Sequence, residues 1–361
     1  MMLPAGSVIG ILGGGQLGRM LACAAAKLGF DVHVYCPETA PPAARVAARH
    51  VCAGYEDAVA LRNFAKACDI VTVEFENVPA AAAEAVAASG TPFRPGAKAL
   101  AVAQDRAEEK AFLESVGIAV ADWRRVDTRE DLLNGLQAFG GAGLLKTRRE
   151  GYDGKGQAVI ASRADADSAW EDLGARACVL ETLVEFDLEI SGLVARGLSG
   201  ECVAWTPPHN MHSEGMLRRS RVPAPVDPQV LGQAQDISVQ LAEAMDYVGV
   251  LALEFFVMAD GQLLANEFAP RVHNSGHWTP EACATGQFEN HIRAVAGWPL
   301  GRAERFHDVE MINIVGQEAL RPPAGFGTDV SLTLYGKGEA RAGRKMGHSV
   351  RRTGPARSRT A

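Results

Sequence analysis

The sequence predicts a parallel α/β region that is followed by an α+β region. Over the first third of the chain, strand-like and helix-like patterns alternate, which is typical of a parallel sheet with helices on both faces. Later, two apolar strand-like runs are joined by Asp260-Gly261, a dipeptide typical of a hairpin between antiparallel strands. A chain of 361 residues has room for two or three such units.

The N-terminal unit is predicted from three apolar strands and the helices between and after them. Strands are expected at residues 8–12, 31–36 and 70–75, and helices at residues 16–28, 57–67 and 80–88. Pro92, Pro95 and Gly96 end this unit. One long helix, at about residues 97–115, then leads into the next region.

The rest of the chain is predicted to hold a small α+β unit at residues 118–183 and a larger one after it. The larger unit has strands at 185–195 and 201–205, a polar segment at 207–221, a helix at 229–245 and the hairpin, and then a helix and short strands at 310–315 and 331–335. These patterns divide the chain into domains at residues 1–104, 105–183, 184–300 and 301–361.

Composition and charge limit the classes of function. The net charge of −7 argues against general nucleic-acid binding, and charged residues interrupt the apolar runs before the roughly 18 residues that a membrane span requires. The seven cysteines never form a CxxC pair, which favours reduced thiols over disulfides or a zinc site. We therefore expect a cytoplasmic protein that binds neither nucleic acid nor membranes.

The hairpin carries two carboxylates inside apolar strands. If Asp260 and Gly261 form a two-residue turn, Glu254 lies directly opposite Glu267. Like charges that face each other across a sheet are destabilising, so this pairing predicts a cation between them. Carboxylate oxygens suit Mg²⁺, which proteins commonly hold with one or two carboxylates and substrate phosphates. The alternative is a hairpin face on which both carboxylates point to solvent.

A glycine-rich turn follows the first predicted strand. Residues 13–18 read GGGQLG and fit the pattern GxGxxG, with Glu38 about 20 residues further on. This pattern favours a dinucleotide such as NAD. However, such glycines let backbone N–H groups approach any anion at a helix N-terminus. The motif alone therefore does not distinguish NAD from the phosphate of a mononucleotide-like substrate.

A second glycine-rich loop, GYDGKGQ at residues 151–157, lies between two apolar strand-like segments. It lacks the GxxxxGK[ST] pattern of a P-loop. Such a loop can still fold over a triphosphate, and Lys146 just before it can reach a phosphate as a point charge. The alternative is a flexible surface turn beside an ordinary lysine.

Motifs spread along nearly the whole chain point to one family. They are GGGQLGRM (13–20), TVEFENV (72–78), QDRAEEKAFL (104–113), GYDGKGQ (151–157), NEFAPRVHNSGHW (266–278) and GRKMGH (343–348). Together they resemble the ATP-grasp superfamily and, within it, the N5-carboxyaminoimidazole ribonucleotide synthetase family.

The resemblance implies a fold. It consists of a Rossmann-like pre-ATP-grasp domain with a parallel sheet (1–104), a two-part ATP-grasp domain (105–183 and 184–300) and a small C-terminal region (301–361) that completes the substrate site. The final segment, SVRRTGPARSRTA, is foreign to the family pattern, so the C-terminal region is expected to be truncated.

The resemblance also implies roles for individual residues. Those implied to bind ATP are Arg106, Lys146, the loop residues Gly151, Tyr152, Asp153, Gly154, Lys155, Gly156 and Gln157, the adenine-binding segment Glu181, Thr182, Leu183 and Val184, the ribose contact Glu189, and His209, Asn266 and Glu267. Those implied to bind aminoimidazole ribonucleotide are Gln16, Leu17, Glu76, Asn274, Ser275, Arg344 and Lys345, and those implied to act in catalysis are Tyr152, Asp153, Arg271 and His273. Glu254 and Glu267 are the implied Mg²⁺ ligands, in agreement with the hairpin.

The implied reaction is an ATP- and bicarbonate-dependent carboxylation of 5-aminoimidazole ribonucleotide in purine biosynthesis, catalysed by a homodimer. ATP phosphorylates bicarbonate, and the amine of the ribonucleotide attacks the resulting carboxyphosphate or CO₂ released from it. Asp153 is expected to orient or deprotonate the amine. The nearest alternative is another ATP-grasp ligase, such as formate-dependent glycinamide ribonucleotide transformylase. An NAD-dependent dehydrogenase and a non-catalytic binding protein are more distant alternatives.

Overall fold

The computed structural model of the chain describes residues 2–151, 154–320 and 328–355. Within them, the strands form one nine-stranded sheet and two four-stranded sheets. The strands are β1 (Val8–Leu12), β2 (Asp31–Cys36), β3 (Arg49–Cys52), β4 (Ile70–Val73), β5 (Trp123–Val126), β6 (Gly143–Thr147), β7 (Gln157–Ile160), β8 (Cys178–Glu181), β9 (Leu188–Arg196), β10 (Cys202–Trp205), β11 (His209–Ser213), β12 (Met216–Val222), β13 (Gly249–Val257), β14 (Leu263–Ala269), β15 (His307–Val315), β16 (Val330–Leu334) and β17 (Lys345–Pro355). The helices are α1 (Gln16–Lys27), α2 (Ala58–Lys66), α3 (Ala80–Ala87), α4 (Ala97–Ala103), α5 (Arg106–Ser115), α6 (Arg129–Ala138), α7 (Ala166–Asp172), α8 (Pro228–Ala244), α9 (Thr279–Ala282) and α10 (Gln287–Val295).

The first sheet is parallel, as the sequence predicts. Its strand order is β3-β2-β1-β4, so the apolar strand β1 lies between two neighbours and its residues Ile9 and Ile11 are fully buried. The edge strand β3 is only half-buried and does not have the apolar run that predicts a strand. α1 begins at Gln16, directly after the glycine turn that follows β1. Its N-terminus therefore lies at the carboxyl edge of the sheet, where open parallel sheets bind ligands.

The second sheet is a small antiparallel one that carries Lys146 and the start of the glycine loop. Its strand order is β5-β8-β6-β7, and α6 and α7 cover it around a core that includes Leu145, Leu180 and Trp170. β6 and β7 pair directly, so the loop 151–157 connects two neighbouring strands. This sheet therefore holds the loop at a fixed place relative to Lys146.

The largest sheet contains the hairpin and also the C-terminal strands. Its order is β14-β13-β9-β11-β12-β15-β17-β16, and β10 pairs with residues 193–196 of β9. Helices α8 and α10 pack against β9 and β13. The polar segment 207–221, in which the sequence analysis predicts no strand, forms β11 and most of β12. The segment 349–355, at the start of the tail that the sequence analysis expects to be foreign to the family, forms the second half of β17 and pairs with β15. Residues 356–361 lie outside the described residues.

The single long helix predicted at residues 97–115 is wrong. Two helices, α4 and α5, occupy this stretch, and Asp105 lies between them. Its side chain accepts a hydrogen bond from the backbone N–H of Ala107 at 3.1 Å and so caps the start of α5. Arg148 donates two hydrogen bonds to the same carboxylate, which ties the beginning of α5 to the end of β6.

No helix among the described residues is both long enough and apolar enough to cross a membrane.

Candidate active site

A cavity of about 910 Å³ lies between the three sheets. Its size is at the upper end of the range for ligand-binding clefts. The residues of the sequence prediction that line it are Gln16, Leu17, Glu76, Arg106, Lys146, Gly151, Gly154, Lys155, Gln157, Glu189, Glu254, Asn266, Glu267, Arg271, His273, Asn274, Arg344 and Lys345. Motifs from the first and the last parts of the chain therefore meet at one site.

Several other residues of the prediction lie outside the cavity lining. These are Gly156, Glu181, Thr182, Leu183, Val184, His209 and Ser275, whose direct contacts with substrates stay predictions. Tyr152 and Asp153 lie outside the described residues, so their roles also stay predictions. On β11, the histidine that lines the cavity is His212, whose Nδ1 is 3.3 Å from Glu189 Oε2. The positions of His209 and His212 in the sequence do not show which of them lines the cavity, because that depends on how β11 pairs with β9.

The hairpin brings its two carboxylates together through a bulge. The predicted two-residue turn is wrong: the N–H of Met258 donates to the carbonyl of Gln262 at 2.9 Å, which leaves a three-residue loop. The pairing then shifts by one residue between Phe255↔Ala265 and Leu253↔Phe268. As a result, Glu254 on β13 faces two residues of β14, Asn266 and Glu267.

The electrostatics of this pair fit a cation. Burial raises the pKa of Glu254, and the nearby Glu267 carboxylate raises it further. His273 Nε2 is 3.7 Å from Glu254 Oε1, but burial lowers the pKa of His273 well below its ordinary value, so this ring does not supply a positive charge. Among the described residues, no three His, Cys, Asp or Glu side chains are grouped closely enough to hold a metal by themselves. These oxygen donors therefore suit Mg²⁺ when phosphate oxygens and water complete its coordination.

The hydrogen bonds of His273 determine which nitrogen carries its proton. The backbone N–H of Ser275 donates to His273 Nδ1 at 3.4 Å, so Nδ1 is an acceptor. Burial and the neighbouring Arg271 lower the pKa of His273 well below its ordinary value, so the ring is neutral. Its Nε2 therefore carries the proton and is directed toward Glu254. Ser275 is fully buried, and its Oγ lies 2.8 Å from His273 Nδ1, so it helps to fix the orientation of the His273 ring.

Arg271 and Glu76, which also line the cavity, form a two-pronged ion pair. Arg271 donates from Nη2 to Glu76 Oε1 at 3.0 Å and from Nε to Oε2. Burial disfavours the charge of Glu76, but Arg271 outweighs it and lowers the pKa of Glu76 to about 2. The pair is therefore ionised at neutral pH, and each member fixes the orientation of the other.

The glycine turn before α1 is already occupied by a carboxylate of the chain itself. Glu74, at the end of β4, accepts hydrogen bonds from the backbone N–H groups of Gly15 and of Gly18, the latter at 2.7 Å. A side chain at position 15 would approach Glu74 Oε1 to 2.6 Å, so only glycine fits there. The turn is thus not open to the pyrophosphate of NAD, which removes the basis of the dehydrogenase alternative. Glu74 also lines the cavity, a role that the sequence analysis missed.

The phosphate-binding candidates surround the glycine loop. Lys146 Nζ donates to Glu181 Oε2 at 3.0 Å and to Asn266 Oδ1 at 3.3 Å. Arg106 donates to the backbone carbonyls of Thr147, Glu150 and Gly151 at 2.9, 2.7 and 3.1 Å. Arg106 therefore holds the base of the loop in addition to lining the cavity.

Apolar residues missed by the sequence analysis line the cavity beside Glu189. Phe186 and Phe256 are stacked with ring centroids 4.5 Å apart, and Leu144 also lines this region. Phe186 remains partly exposed, which is unusual for a large aromatic ring and is typical of a binding surface. The only sequence signal is that Phe256 shares a strand with Glu254.

Comparisons with known proteins agree along the whole chain. Family models for the ribonucleotide synthetase preATP-grasp domain, the ATP-grasp domain and the phosphoribosylaminoimidazole carboxylase C-terminal domain match residues 7–104, 111–288 and 310–352. The N5-carboxyaminoimidazole ribonucleotide synthase of Brucella melitensis is 50% identical over 352 residues, which cover 97% of each chain.

Solved structures give the same result. The crystal structure of N5-carboxyaminoimidazole ribonucleotide synthetase from Thermus thermophilus is 44% identical, with a TM-score of 0.89, over 95% of this chain and 93% of that one. The Aspergillus clavatus N5-carboxyaminoimidazole synthase, solved with ADP and 5-aminoimidazole ribonucleotide, is 30% identical, with a TM-score of 0.88, over 97% and 94%. This chain therefore belongs to the N5-carboxyaminoimidazole ribonucleotide synthase family of ATP-grasp ligases.

Proposed function

We propose that this enzyme carboxylates the exocyclic amine of 5-aminoimidazole ribonucleotide with ATP and bicarbonate, and releases ADP and phosphate, in purine biosynthesis. The observation that carries the proposal is the single cavity in which candidate ligands for both substrates meet. Lys146 and residues of the glycine loop line it, and so do Gln16, Arg344 and Lys345. The family relationship supports the same reaction.

The chemistry requires two steps. Bicarbonate is a poor electrophile, so its oxygen first attacks the γ-phosphorus of ATP, ADP leaves, and carboxyphosphate forms. The amine then attacks the carboxyl carbon of carboxyphosphate, or CO₂ released from it, while phosphate leaves and the amine loses a proton. Lys146 supports the first step because its ammonium group can offset the negative charge of the phosphates.

Two other side chains of the cavity lining are suited to the second step. Arg271, fixed by Glu76, can hold an anionic carboxyl group, and the proton on His273 Nε2 can be donated to an oxygen atom. Asp153 remains our candidate for orienting or deprotonating the amine.

We infer that Mg²⁺ is held by Glu254 and Glu267 together with phosphate oxygens of ATP. The support is the pair of like-charged carboxylates that face each other at the bulge. When bound, the ion would supply positive charge at the β- and γ-phosphates. Glu254 and Glu267 would provide carboxylate oxygens as ligands. Asn266, on the same bulge, accepts a hydrogen bond from Lys146.

We further propose that the enzyme acts as a cytoplasmic homodimer. Support for the dimer comes only from the family relationship. Support for the cytoplasm comes from the role in purine biosynthesis and from cysteines that are all free thiols.

The test is ADP release from the purified protein with Mg·ATP, in which bicarbonate and aminoimidazole ribonucleotide are omitted in turn. We expect ADP formation to require the ribonucleotide, and an acid-labile carboxylated product to require bicarbonate. Formate in place of bicarbonate should give no product. A folded protein that releases no ADP under any combination, or that turns over with formate and glycinamide ribonucleotide, would contradict the proposal.

A further inference from the structure

We propose that Lys110 is a positioning residue that acts through Glu181 to hold Lys146 in place and to leave the charge of Lys146 available for the phosphates of ATP. The inference deepens the proposed function and rests on it, because it assigns the ATP phosphates to Lys146. Lys110 lies on α5, one turn after Arg106, and does not line the cavity.

Lys110 is among the most deeply buried charged residues of the described chain. It is 1% exposed, whereas lysine is almost never fully buried unless it is paired. Its Nζ is 3.2 Å from Glu181 Oε1. Within the described residues, neither of these two atoms has a well-oriented hydrogen bond, so the ion pair is what compensates each charge. Lys110 thus has no evident reason to be a lysine other than Glu181.

Glu181 is shared between two ammonium groups. Its Oε1 faces Lys110, and its Oε2 accepts a hydrogen bond from Lys146 at 3.0 Å. Burial disfavours the charge of Glu181, but Lys146 and Lys110 outweigh it and lower its pKa, so the carboxylate stays ionised. With one oxygen held by each lysine, the carboxylate cannot rotate freely, and its position sets that of Lys146.

The charges of this group explain why the second lysine matters. Two ammonium groups and one carboxylate leave a net charge of +1, and Lys146 is the member of the group that lines the cavity. If Lys110 were neutral, Lys146 and Glu181 would form a neutral pair. In a buried site, a neutral pair attracts a polyphosphate much less strongly than an uncompensated cation does.

The test compares Lys110→Met, Glu181→Gln and the double variant by calorimetric titration with ADP and with adenosine, in the presence of Mg²⁺. We expect Lys110→Met to weaken ADP binding about tenfold and to leave adenosine binding unchanged, because only ADP carries the phosphates. The double variant restores the net charge of +1, so its ratio of ADP to adenosine affinity should return to within about threefold of the wild-type value. A residue that served only packing would not be rescued by a change at Glu181.

The matched control is Lys98→Met. Lys98 lies on α4, is exposed and contacts the ring of Phe112, so its loss removes the same charge from the protein without touching Glu181. We expect its affinity for ADP to be unchanged. Thermal melts of all variants check the fold, and Lys110→Met leaves Glu181 paired with Lys146, so no buried charge is left alone.

An ADP-to-adenosine affinity ratio of Lys110→Met within about twofold of wild type, or a double variant that does not recover, would overturn the inference. Because these titrations need no turnover, they separate the two proposals. An enzyme that behaves as expected here but forms no carboxylated product would contradict the reaction and leave the role of Lys110 intact. Wild-type protein that does not bind ADP would overturn both.

Discussion

Two carboxylate sites in the cavity lining, Glu76 and the Glu254–Glu267 pair, have their charge compensated in different ways. At the Glu76 site, the carboxylate accepts hydrogen bonds from two nitrogens of Arg271, Nε and Nη2, and keeps a low pKa. At the Glu254–Glu267 site, Glu254 faces Glu267, whose carboxylate makes ionisation of Glu254 less favourable. The protein itself neutralises the first carboxylate, whereas the proposed function assigns a cation from solution to the other two. Burial alone therefore does not indicate the role of an acidic residue; the group that compensates its charge does.

The largest effect that tests this comparison is expected at the Glu254–Glu267 site. We expect Glu267→Gln to reduce the rate of ADP release at least about 1,000-fold, because a metal ligand is lost where the phosphates carry their charge. Stability without Mg²⁺ should stay the same or rise, because the substitution removes one of two like charges. Rates of ADP release and melting temperatures with and without Mg²⁺ measure both effects. Near-wild-type rates in a folded variant would refute the metal assignment.

At the Glu76 site, the same type of substitution should lower the free energy of unfolding. Glu76→Gln leaves Arg271 buried without its ionic partner, so we expect the free energy of unfolding to fall by about 3 kcal/mol. Urea unfolding measured by circular dichroism determines this value. A loss of stability below about 0.5 kcal/mol would show that the two carboxylate sites do not differ as described.

The pH dependence of stability gives the smallest of the three effects. Glu76 has its pKa lowered from 4.5 to about 2, so the ion pair stabilises the folded state fully above pH 4.5 and less as the pH falls toward 2. Between pH 4.5 and pH 3, the wild type should lose about 2 kcal/mol more than Glu76→Gln, which lacks this titration. Urea unfolding of both proteins at these pH values tests the difference. Parallel pH profiles would contradict it.

The parts of the fold that the sequence predicts are those with local apolar patterns. β1 and β2 match their predicted bounds because each is a run of alternating or continuous apolar residues that ends in a glycine or proline turn. β12, MLRRSRV, contains three arginines, of which Arg219 and Arg221 are exposed, and these hide the apolar pattern of a strand. β17 is hidden in the same way by glycines and arginines, and its pairing with β15 depends on a partner 30 or more residues away.

The candidate site was predictable in composition but not in its partners. The motifs identify Glu76 and Arg271 as site residues, yet the contact between them joins positions 195 residues apart. Glu74 reaches Gly18 only because β4 lies beside β1, which no local pattern encodes. The hairpin illustrates the opposite case. The carboxylates were predicted to meet through the wrong turn, and a bulge restored the facing arrangement.

The pairing of β17 with β15 has a consequence for the synthesis of the protein. Lys345 is the first residue of β17, whereas Gln16, which also lines the cavity, is made near the beginning of the chain. On the ribosome, the parallel sheet can assemble once residue 73 has emerged, because β4 is its last strand to be made. The cavity gains Lys345 only after more than 270 further residues have been added. Nascent chains that stall before β17 therefore possess the glycine loop and the β13–β14 hairpin but lack Lys345 in the cavity lining.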